Sequence, residues 1–411
     1  MHKILLIDDE KKILESLSSI LRDEGFLVLT APDGRQGMDL FEKERPEVVL
    51  LDIWMPEEDG LEVLGKMKAR WKDAIVIAIS GHGTISTAVE AVKRGAFDFL
   101  EKPLSAERVL EAIARALGEK KDEEKREPFG LERGNDVVRQ RTIGRSVVLY
   151  GVGLHTGIKT GMILLPMPPG SGILFEYVPY GERIPAFVDC AYSIGYATSL
   201  RGKACVIRTV EHLLAVFHMF GITNILVKVT EEIPILDGSA REFCRKIEEA
   251  GVVEQEEGVE PVKIQGRVEL DGLDGGRYLF AEPSDSFEID YLLDQRGPIR
   301  LQRYHFRGGL EDFVRDIAPS RTFGFIKDFE RLSKLGLASG GRIDNVIILN
   351  ENGVINTELR FEDEFVRHKI LDLIGDLYLL MRPVIGKIHA RGTGHMENLS
   401  LVREIKRRLL S

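Results

Sequence analysis

Short apolar runs alternate with amphipathic segments over roughly the first 117 residues of the chain. The runs KILLID, VVLLDI and AIVIAIS are short and almost continuously apolar, which is typical of buried parallel strands. The segments KKILESLSSILRDEG and STAVEAVKRGA have the spacing of apolar residues expected of helices. Strands that alternate with helices in this way predict an α/β, doubly wound sheet.

A segment dense in charge follows this region. Residues 121–137 contain Pro128 and two glycines and show no apolar period. This composition predicts a linker, part helix and part coil.

Strand-like and helix-like segments mix from residue 138 onward. SVVLYGVGLH, NILVKVTE, KIQGRVEL and NVIILN read as strands, whereas RTVEHLLAVFHMF, REFCRKIEEAG and EFVRHKILDLIGDLYLL read as helices. The acidic segment GVVEQEEGVEPV indicates a second boundary near residue 256. We therefore predict an α+β region of layered sheets and helices with two subdomains, 138–255 and 256–411.

Composition narrows the class of protein. A net charge of -10 argues against broad nucleic-acid binding, which needs a basic face. The three cysteines form no CxxC pair, so neither a disulfide framework nor a thiolate metal site is indicated. The start MHKILLIDDE lacks the features of a signal peptide, and no window approaches the roughly 20 apolar residues of a membrane helix, so we expect a cytoplasmic protein without a transmembrane segment.

Polar residues follow the predicted strands of the first region. Asp8 and Asp9 end the first strand, Asp52 ends VVLLD, Ser80 ends AIVIAIS, and Lys102 follows FDFLE. The carboxyl ends of parallel strands converge on one crevice, where three carboxylates would repel one another unless a hard cation such as Mg²⁺ lay among them. The pattern predicts an acidic metal pocket in which one carboxylate is free to accept a phosphoryl group.

This arrangement closely resembles the response-regulator receiver domain over nearly all of residues 2–120. The resemblance implies a flavodoxin-like fold of five parallel strands, and a sensor histidine kinase as partner. The alternative is a receiver-like fold that has lost phosphorylation. The positions to which the resemblance gives a role are Asp52 (phosphoryl acceptor and magnesium ligand), Asp8 and Asp9 (magnesium), Trp54 (backbone carbonyl to magnesium), Ser80 and Lys102 (phosphoryl contacts) and Phe99 (aromatic switch).

A second group of polar residues lies in the RHKILDLIGD segment. His368, Asp372 and Asp376 are four residues apart and share one stripe of the predicted helix. A solvated ion-pair stripe and a metal site both fit this stripe. Elsewhere RTVEHLLAVF places Glu211 before His212, and a glycine-rich loop delivers a further histidine, His395. Two imidazoles and one carboxylate form a three-ligand set for catalytic Zn²⁺, although mixed ligands of this kind also suit iron(II).

Residues 138–407 resemble the zinc-dependent UDP-3-O-acyl-N-acetylglucosamine deacetylases of lipid A and lipopolysaccharide biosynthesis. The motifs that carry the resemblance are GVGLHTG, TVEHLLA, EIPILDGSA, SRTFGF, GLASGG, FEDEFVRHKILDLIGDL and the final GH. It implies hydrolysis of the N-acetyl group of UDP-3-O-(3-hydroxyacyl)-N-acetylglucosamine, which gives a free amine and acetate. The implied site residues are His212, His368 and Asp372 (zinc), Glu211 (general base), His395 (general acid), Asp376 (orienting His395), Thr322 (oxyanion) and His155, Lys369 and Phe323 (substrate).

The sequence offers weaker candidates for the residues that would bind the acyl chain and the diphosphate of the substrate. The segment LYLLMRPVIGKIHARG has enough apolar side chains to line an acyl groove, and plain core packing explains them equally well. Arg277 is a candidate for the diphosphate, although a lone arginine is usually solvated.

The combination of the two regions leaves three hypotheses. In the first, phosphorylation of Asp52 controls the enzyme, since it adds about 1.5–2 negative charges. In the second, catalysis is constitutive and the receiver serves only for dimerisation or kinase docking. A third, a degenerate binding protein, is disfavoured because no catalytic position is missing.

Overall fold

The structure is a computed structural model that describes residues 2–55, 59–80, 85–102, 104, 106–118, 137–294, 297–328 and 338–409. The chain divides into two compact units, Met1–Arg126 with Arg145–Val148 and Glu127–Gly144 with Leu149–Ser411. Of the predicted linker, only Val137 lies among the described residues. Each unit has sheets and buried apolar side chains of its own.

A five-stranded parallel sheet in the order β2-β1-β3-β4-β5 forms the centre of the first unit. In β1 the side chains of Ile4–Ile7 are all buried, as expected for a strand covered on both faces. The predicted doubly wound, flavodoxin-like sheet is confirmed. The strands are β1 (Lys3–Ile7), β2 (Leu27–Ala31), β3 (Val48–Asp52), β4 (Ile75–Ser80) and β5 (Asp98–Glu101).

Five helices connect and cover these strands. Helix α1 buries Leu17 and Leu21 in the same apolar cluster as Ile113 of α5, because one face of each helix is apolar. The helices are α1 (Lys11–Asp23), α2 (Gly34–Glu44), α3 (Gly60–Arg70), α4 (Ile85–Lys93) and α5 (Ala106–Ala116).

Three sheets occupy the amino-terminal half of the second unit. They have the orders β10-β9-β14-β8-β7, β11-β12-β13 and β15-β6. The predicted subdomain boundary near residue 256 falls inside β15. The strands are β6 (Val138–Ile143), β7 (Val147–Val152), β8 (Lys159–Pro166), β9 (Ile173–Tyr177), β10 (Glu182–Pro185), β11 (Ala191–Ser193), β12 (Thr198–Arg201), β13 (Val206–Arg208), β14 (Ile225–Val229) and β15 (Val252–Val259).

A six-stranded sheet dominates the remainder, with the order β17-β18-β24-β19-β20 and β16 paired to β24; a small sheet, β21-β22-β23, accompanies it. The predicted strand KIQGRVEL is two short strands, because β16 pairs with β24 whereas β17 pairs with β18. The strands are β16 (Val262–Lys263), β17 (Val268–Glu269), β18 (Tyr278–Glu282), β19 (Phe287–Leu293), β20 (Gln302–Arg307), β21 (Phe323–Phe325), β22 (Ile347–Asn350), β23 (Gly353–Val354) and β24 (Val384–Arg391).

Two buried helices, α6 and α9, cross at the centre of this unit. Every residue of α6 is buried, and α9 packs against α6, α10, β19 and β20. Gly375 permits the crossing, since a Cβ there would lie 1.9 Å from the Glu211 carbonyl oxygen. Across the described ranges, no helix is both long enough and apolar enough to span a membrane. The helices are α6 (Glu211–Phe220), α7 (Arg241–Ala250), α8 (Leu310–Asp312), α9 (Glu364–Leu377) and α10 (His395–Leu409), with 3-10 turns at Val188–Cys190 and Tyr378–Leu380 and a π-helical turn at Phe313–Ile317.

Candidate functional site

The ammonium group of Lys102 lies among carboxylates at the strand ends of the first unit. Its Nζ is 2.7 Å from Asp52 Oδ2, 3.0 Å from Asp8 Oδ2 and 3.1 Å from Glu10 Oε1. Burial raises the pKa of Asp8 to about 6, against the hydrogen bond from Lys102. The predicted acidic crevice is therefore present, with one lysine at its centre.

The crevice contains Glu10 in place of Asp9, which the sequence predicted there together with Asp8 and Asp52. Asp8, Glu10 and Asp52 each offer an oxygen within 4.8 Å of the others, whereas Asp9 is exposed and outside this group. The Glu10 N–H donates to Asp8 Oδ1 at 2.8 Å, so the chain turns back over the strand end and brings Glu10 toward the crevice. Oxygen ligands of this kind fit Mg²⁺.

The other predicted receiver positions, Ser80, Phe99 and Trp54, differ in their burial. Ser80 is fully buried, and its Oγ has no hydrogen-bond partner among the described residues. Phe99 is buried as well, at 1% exposure, so its ring is turned inward in this structure. The backbone N–H of Trp54 donates to Asp52 Oδ1 at 2.9 Å, while the indole is exposed.

In the second unit, α6 and α9 bring His212, His368 and Asp372 together. One donor atom of each lies within 4.8 Å of the others, and all three side chains are buried. Asp372 Oδ1 is 3.5 Å from both His212 Nε2 and His368 Nε2. Three donors that converge deep in the protein fit a metal ion, and the solvated ion-pair stripe is excluded by their burial.

The protonation states of these groups also suit metal binding. His368 Nδ1 lies 3.2 Å from the Ser320 carbonyl, which accepts its proton and leaves Nε2 with a free lone pair. Burial lowers the pKa of His368 to about 3, so the imidazole is neutral near pH 7. Although burial opposes it, the charge of Lys369 holds the pKa of Asp372 well below its usual range. Lys369 Nζ contacts Oδ2, 2.8 Å away, and Oδ1 remains turned to the histidines.

Glu211 and His395 face each other beside these three residues. Glu211 Oε1 and His395 Nε2 are 3.8 Å apart, and both side chains are buried. Burial raises the pKa of Glu211 to about 7, against the charge of His395. Either of the two facing groups can therefore hold a proton in this part of the site.

Asp376, the third member of the α9 stripe, contacts His395 rather than the group of His212, His368 and Asp372. Its Oδ2 accepts from His395 Nδ1 at 2.9 Å and from Asn398 Nδ2 at 2.9 Å. Although burial opposes it, the charge of Asp376 raises the pKa of His395 to about 9. The imidazole is therefore protonated at neutral pH.

The residues predicted to contact the substrate lie in different environments. Both ring nitrogens of His155 are buried without a hydrogen-bond partner in the described part of the chain, and burial lowers its pKa. The Phe323 ring lies 6.0 Å from the His368 ring, with Lys369 Nζ 5.8 Å from its centre. Thr322 precedes Phe323, and its N–H donates to the Gly238 carbonyl at 2.8 Å.

The candidates for acyl and diphosphate contacts show ordinary structural roles. Leu379 and Ile388 are fully buried or nearly so, which fits core packing of the LYLLMRPVIGKIHARG segment. Arg277 Nη1 pairs with Glu397 Oε1 at 2.9 Å on the surface.

Sequence reasoning missed two buried residues that hold the site. Thr198 contacts Glu211, Asp376 and His395, and it belongs to no motif that we identified. Glu232, the first residue of EIPILDGSA, accepts hydrogen bonds from the GVGLHTG loop. The position of Glu232 inside the EIPILDGSA motif was the available signal in the sequence, whereas the sequence around Thr198 offered no signal.

Comparison with known proteins matches both regions. The family model "UDP-3-O-acyl N-acetylglycosamine deacetylase" matches residues 140–407, and the model "Response regulator receiver domain" matches residues 4–114. The UDP-3-O-acyl-N-acetylglucosamine deacetylase of Nitratiruptor sp. is 40% identical over 270 residues, 65% of this chain and 90% of that protein. The same-named protein of Myxococcus xanthus is 42% identical over 271 residues, 65% of this chain and 86% of that protein. The first unit is also similar to a solved receiver domain protein from Methanospirillum hungatei, at 30% identity and a TM-score of 0.28, covering 29% of this chain and 95% of that one.

Proposed function

This chain belongs to the UDP-3-O-acyl N-acetylglycosamine deacetylase family and carries a response regulator receiver domain, and from this membership we propose that it is a zinc-dependent amidase. The proposed substrate is UDP-3-O-(3-hydroxyacyl)-N-acetylglucosamine, from which water removes the acetyl group to give acetate and a free amine. The observation that carries the proposal is the convergence of His212, His368 and Asp372 beside the facing pair Glu211 and His395.

The proposed zinc ligands are His212 Nε2, His368 Nε2 and Asp372 Oδ1. Two imidazoles and a carboxylate leave a coordination position open, as catalytic zinc sites require. Zinc bound there would lower the pKa of a water ligand and polarise the amide carbonyl. The Ser320 carbonyl keeps His368 in the tautomer that presents Nε2, and Lys369 occupies the second carboxylate oxygen of Asp372.

Glu211 is the proposed general base. Its carboxylate takes a proton from the attacking water, and its raised pKa makes it a stronger base than an exposed glutamate. His212 and Asp372, two of the proposed zinc ligands, are close enough to affect the pKa of Glu211, so this carboxylate would lie near a water bound at that group of ligands.

His395 is the proposed general acid. An amide nitrogen leaves only after it gains a proton, and a protonated imidazole across from Glu211 can supply it. Asp376 keeps the imidazole charged and directs Nε2 toward the reacting group. In the same scheme Thr322 donates a hydrogen bond to the developing oxyanion, and His155, Lys369 and Phe323 contact the substrate.

The decisive experiment is a deacetylation assay on the purified full-length chain. With zinc and UDP-3-O-(3-hydroxyacyl)-N-acetylglucosamine, we expect equal amounts of acetate and free amine. Chelation should abolish turnover, and added zinc should restore it; parallel loading with iron(II) compares the two metals. His368→Ala should lose bound metal and activity, whereas His305→Ala, an exposed histidine paired with Glu288, should retain both. A zinc-replete parental chain that releases no acetate would refute the proposal.

Phosphorylation of Asp52 is the proposed control of this activity. Magnesium held by the strand-end carboxylates, with Lys102 beside Asp52, suits transfer of a phosphoryl group to Asp52 from a phosphorylated sensor histidine kinase. In this scheme Ser80 contacts the phosphoryl group and Phe99 responds to it. We also propose a sensor histidine kinase as the partner of the receiver domain, and a cytoplasmic location for the chain.

Two outcomes separate regulation from a constitutive enzyme. Under regulation, an acyl-phosphate donor with Mg²⁺ changes turnover of the parental chain, while Asp52→Asn does not respond. Asp39→Asn, which removes an exposed carboxylate of α2, should respond like the parent. Under the alternative, turnover is equal at all substrate concentrations and only the assembly size, measured by light scattering, depends on Asp52.

A further inference from the structure

The backbone of Thr198 contacts the side chain of Glu211, the proposed general base, and the backbone of the residue before it. Thr198 is the first residue of β12 and is fully buried. Its N–H donates to Glu211 Oε2 at 3.0 Å, and its carbonyl accepts from the N–H of Val210 at 3.1 Å. Because Oε2 is held in this way, Glu211 Oε1 is the oxygen that faces His395 Nε2.

The hydroxyl of the same residue contacts the proposed acid and its orienting carboxylate. Thr198 Oγ donates to Asp376 Oδ1 at 2.5 Å and lies 3.2 Å from His395 Nδ1. The other oxygen of Asp376 is 2.9 Å from the same nitrogen. Hydroxyl, carboxylate and imidazole therefore form a closed group of three, in which each contacts the other two.

We infer that Thr198 is a positioning residue that sets the proposed base and acid at a fixed separation, an inference that rests on the proposed function. Base and acid must act on the same small group, so a displacement of either one should lower the rate. A single residue, Thr198, contacts Glu211 through its backbone and contacts Asp376 and His395 through its side chain.

The chemistry of the three groups explains why a hydroxyl is needed. The imidazole Nδ1 and Asn398 Nδ2 both donate to Oδ2 of Asp376. The other oxygen, Oδ1, therefore needs a donor of its own, and that donor must also accommodate the Nδ1–H group beside it. A threonine hydroxyl does both, because it has one proton and two lone pairs. Its β-branched side chain also has few rotamers, which limits the motion of Oγ.

The first test replaces the hydroxyl and leaves the backbone contacts with Glu211 in place. Thr198→Val should lower kcat on the order of tenfold to 10²-fold, as expected for a misplaced catalytic group. KM should stay within about threefold, because a contact that aligns groups in the transition state changes kcat rather than binding. Thr198→Ser keeps the hydroxyl and should recover most of the rate.

A matched control separates positioning from a general loss of packing. Thr142 is also buried, with its hydroxyl 2.6 Å from the Asn224 carbonyl and outside the site, so Thr142→Val removes a comparable hydrogen bond. Zinc content and the thermal midpoint are measured for all variants. If Thr198→Val and Thr142→Val lose stability equally and neither loses kcat, the inference is wrong.

A double-mutant cycle identifies the group through which the hydroxyl acts. In a His395→Ala background, Thr198→Val should lower the residual kcat less than about threefold, since the two changes remove one coupled unit. An undiminished effect in that background would overturn the inference. Failure of the proposed function would be recognised separately, because the parental chain itself would then release no acetate.

Discussion

Asp376 Oδ2 and His395 Nδ1 lie 2.9 Å apart, although the two residues are 19 positions apart in the chain. One belongs to α9 and the other begins α10, and neither side chain is exposed to solvent. Burial opposes the charged form of the imidazole, but the negative charge of Asp376 outweighs it and raises the pKa of His395 to about 9. This relationship explains how a histidine can hold a proton at neutral pH, as a general acid must.

The pH dependence of the deacetylation rate should follow from the two facing groups. Glu211 has a pKa raised to about 7 and must lose its proton to act as base, so kcat/KM should rise as pH increases through about 7. His395 has a pKa raised to about 9 and must keep its proton, so kcat/KM should fall above about 9. A flat profile of initial rates across this interval would contradict the assignment of base and acid.

Asp376→Asn should move the alkaline limb of that profile more than the acidic limb. Loss of the negative charge lowers the pKa of His395, so the acid loses its proton at lower pH. The acidic limb set by Glu211 moves less, because the charge of Asp376 affects the pKa of Glu211 less than burial and His395 do. We also expect kcat to fall on the order of tenfold or more. Asp294→Asn serves as the control, because Asp294 pairs with Arg391 on the surface. An alkaline limb that does not move would rule out the orienting role of Asp376.

The spacing along one helix predicted part of the group formed by His212, His368 and Asp372. His368 and Asp372 are four residues apart, and the structure turns both toward His212. Asp376, at the same spacing, contacts His395 instead, and the motifs rather than the periodicity indicated that role. This part could be predicted because, once a segment is helical, residues four apart lie on the same face.

Contacts between distant elements could not be read in the same way. Thr198 meets Asp376 across 178 positions, and nothing in ATSLR indicates a partner on α9. The choice between Asp9 and Glu10 depends on how the chain turns after β1, which the alternation of apolar and polar residues does not determine. Such contacts arise from the packing of whole elements.

Magnesium binding to the first unit should strengthen as pH rises through about 6. Burial raises the pKa of Asp8 to about 6, so below this pH a proton competes with the metal, and above it the carboxylate is free. Fluorescence of Trp54, next to the crevice, can follow binding once the second tryptophan is removed by Trp71→Phe. Asp8→Asn should abolish the pH dependence. Equal magnesium affinities about one pH unit on either side of 6 would exclude this competition.

Replacement of Glu232 should lower both the melting temperature of the second unit and the rate of deacetylation. Its Oε1 accepts from the His155 N–H at 2.9 Å and from Thr209 Oγ at 2.7 Å. Its Oε2 accepts from the N–H and Oγ of Thr156, at 2.9 Å and 2.7 Å. Thr209 has a φ of 60° and lies two residues before Glu211, so the carboxylate holds a left-handed residue at the entrance to α6 as well as the His155 loop.

Glu232→Gln turns one of these acceptors into an NH₂ group that faces donors, and an unpaired buried polar group costs about 1–3 kcal/mol. A domain of this size should then melt roughly 2–12 °C lower, and kcat/KM should fall because His155 and Glu211 lose their common support. Glu231→Gln is the matched control, since the neighbouring carboxylate pairs with Arg208 at a partly exposed position. If calorimetry and initial rates cannot distinguish the two variants, Glu232 does not hold the loop and the helix entrance together.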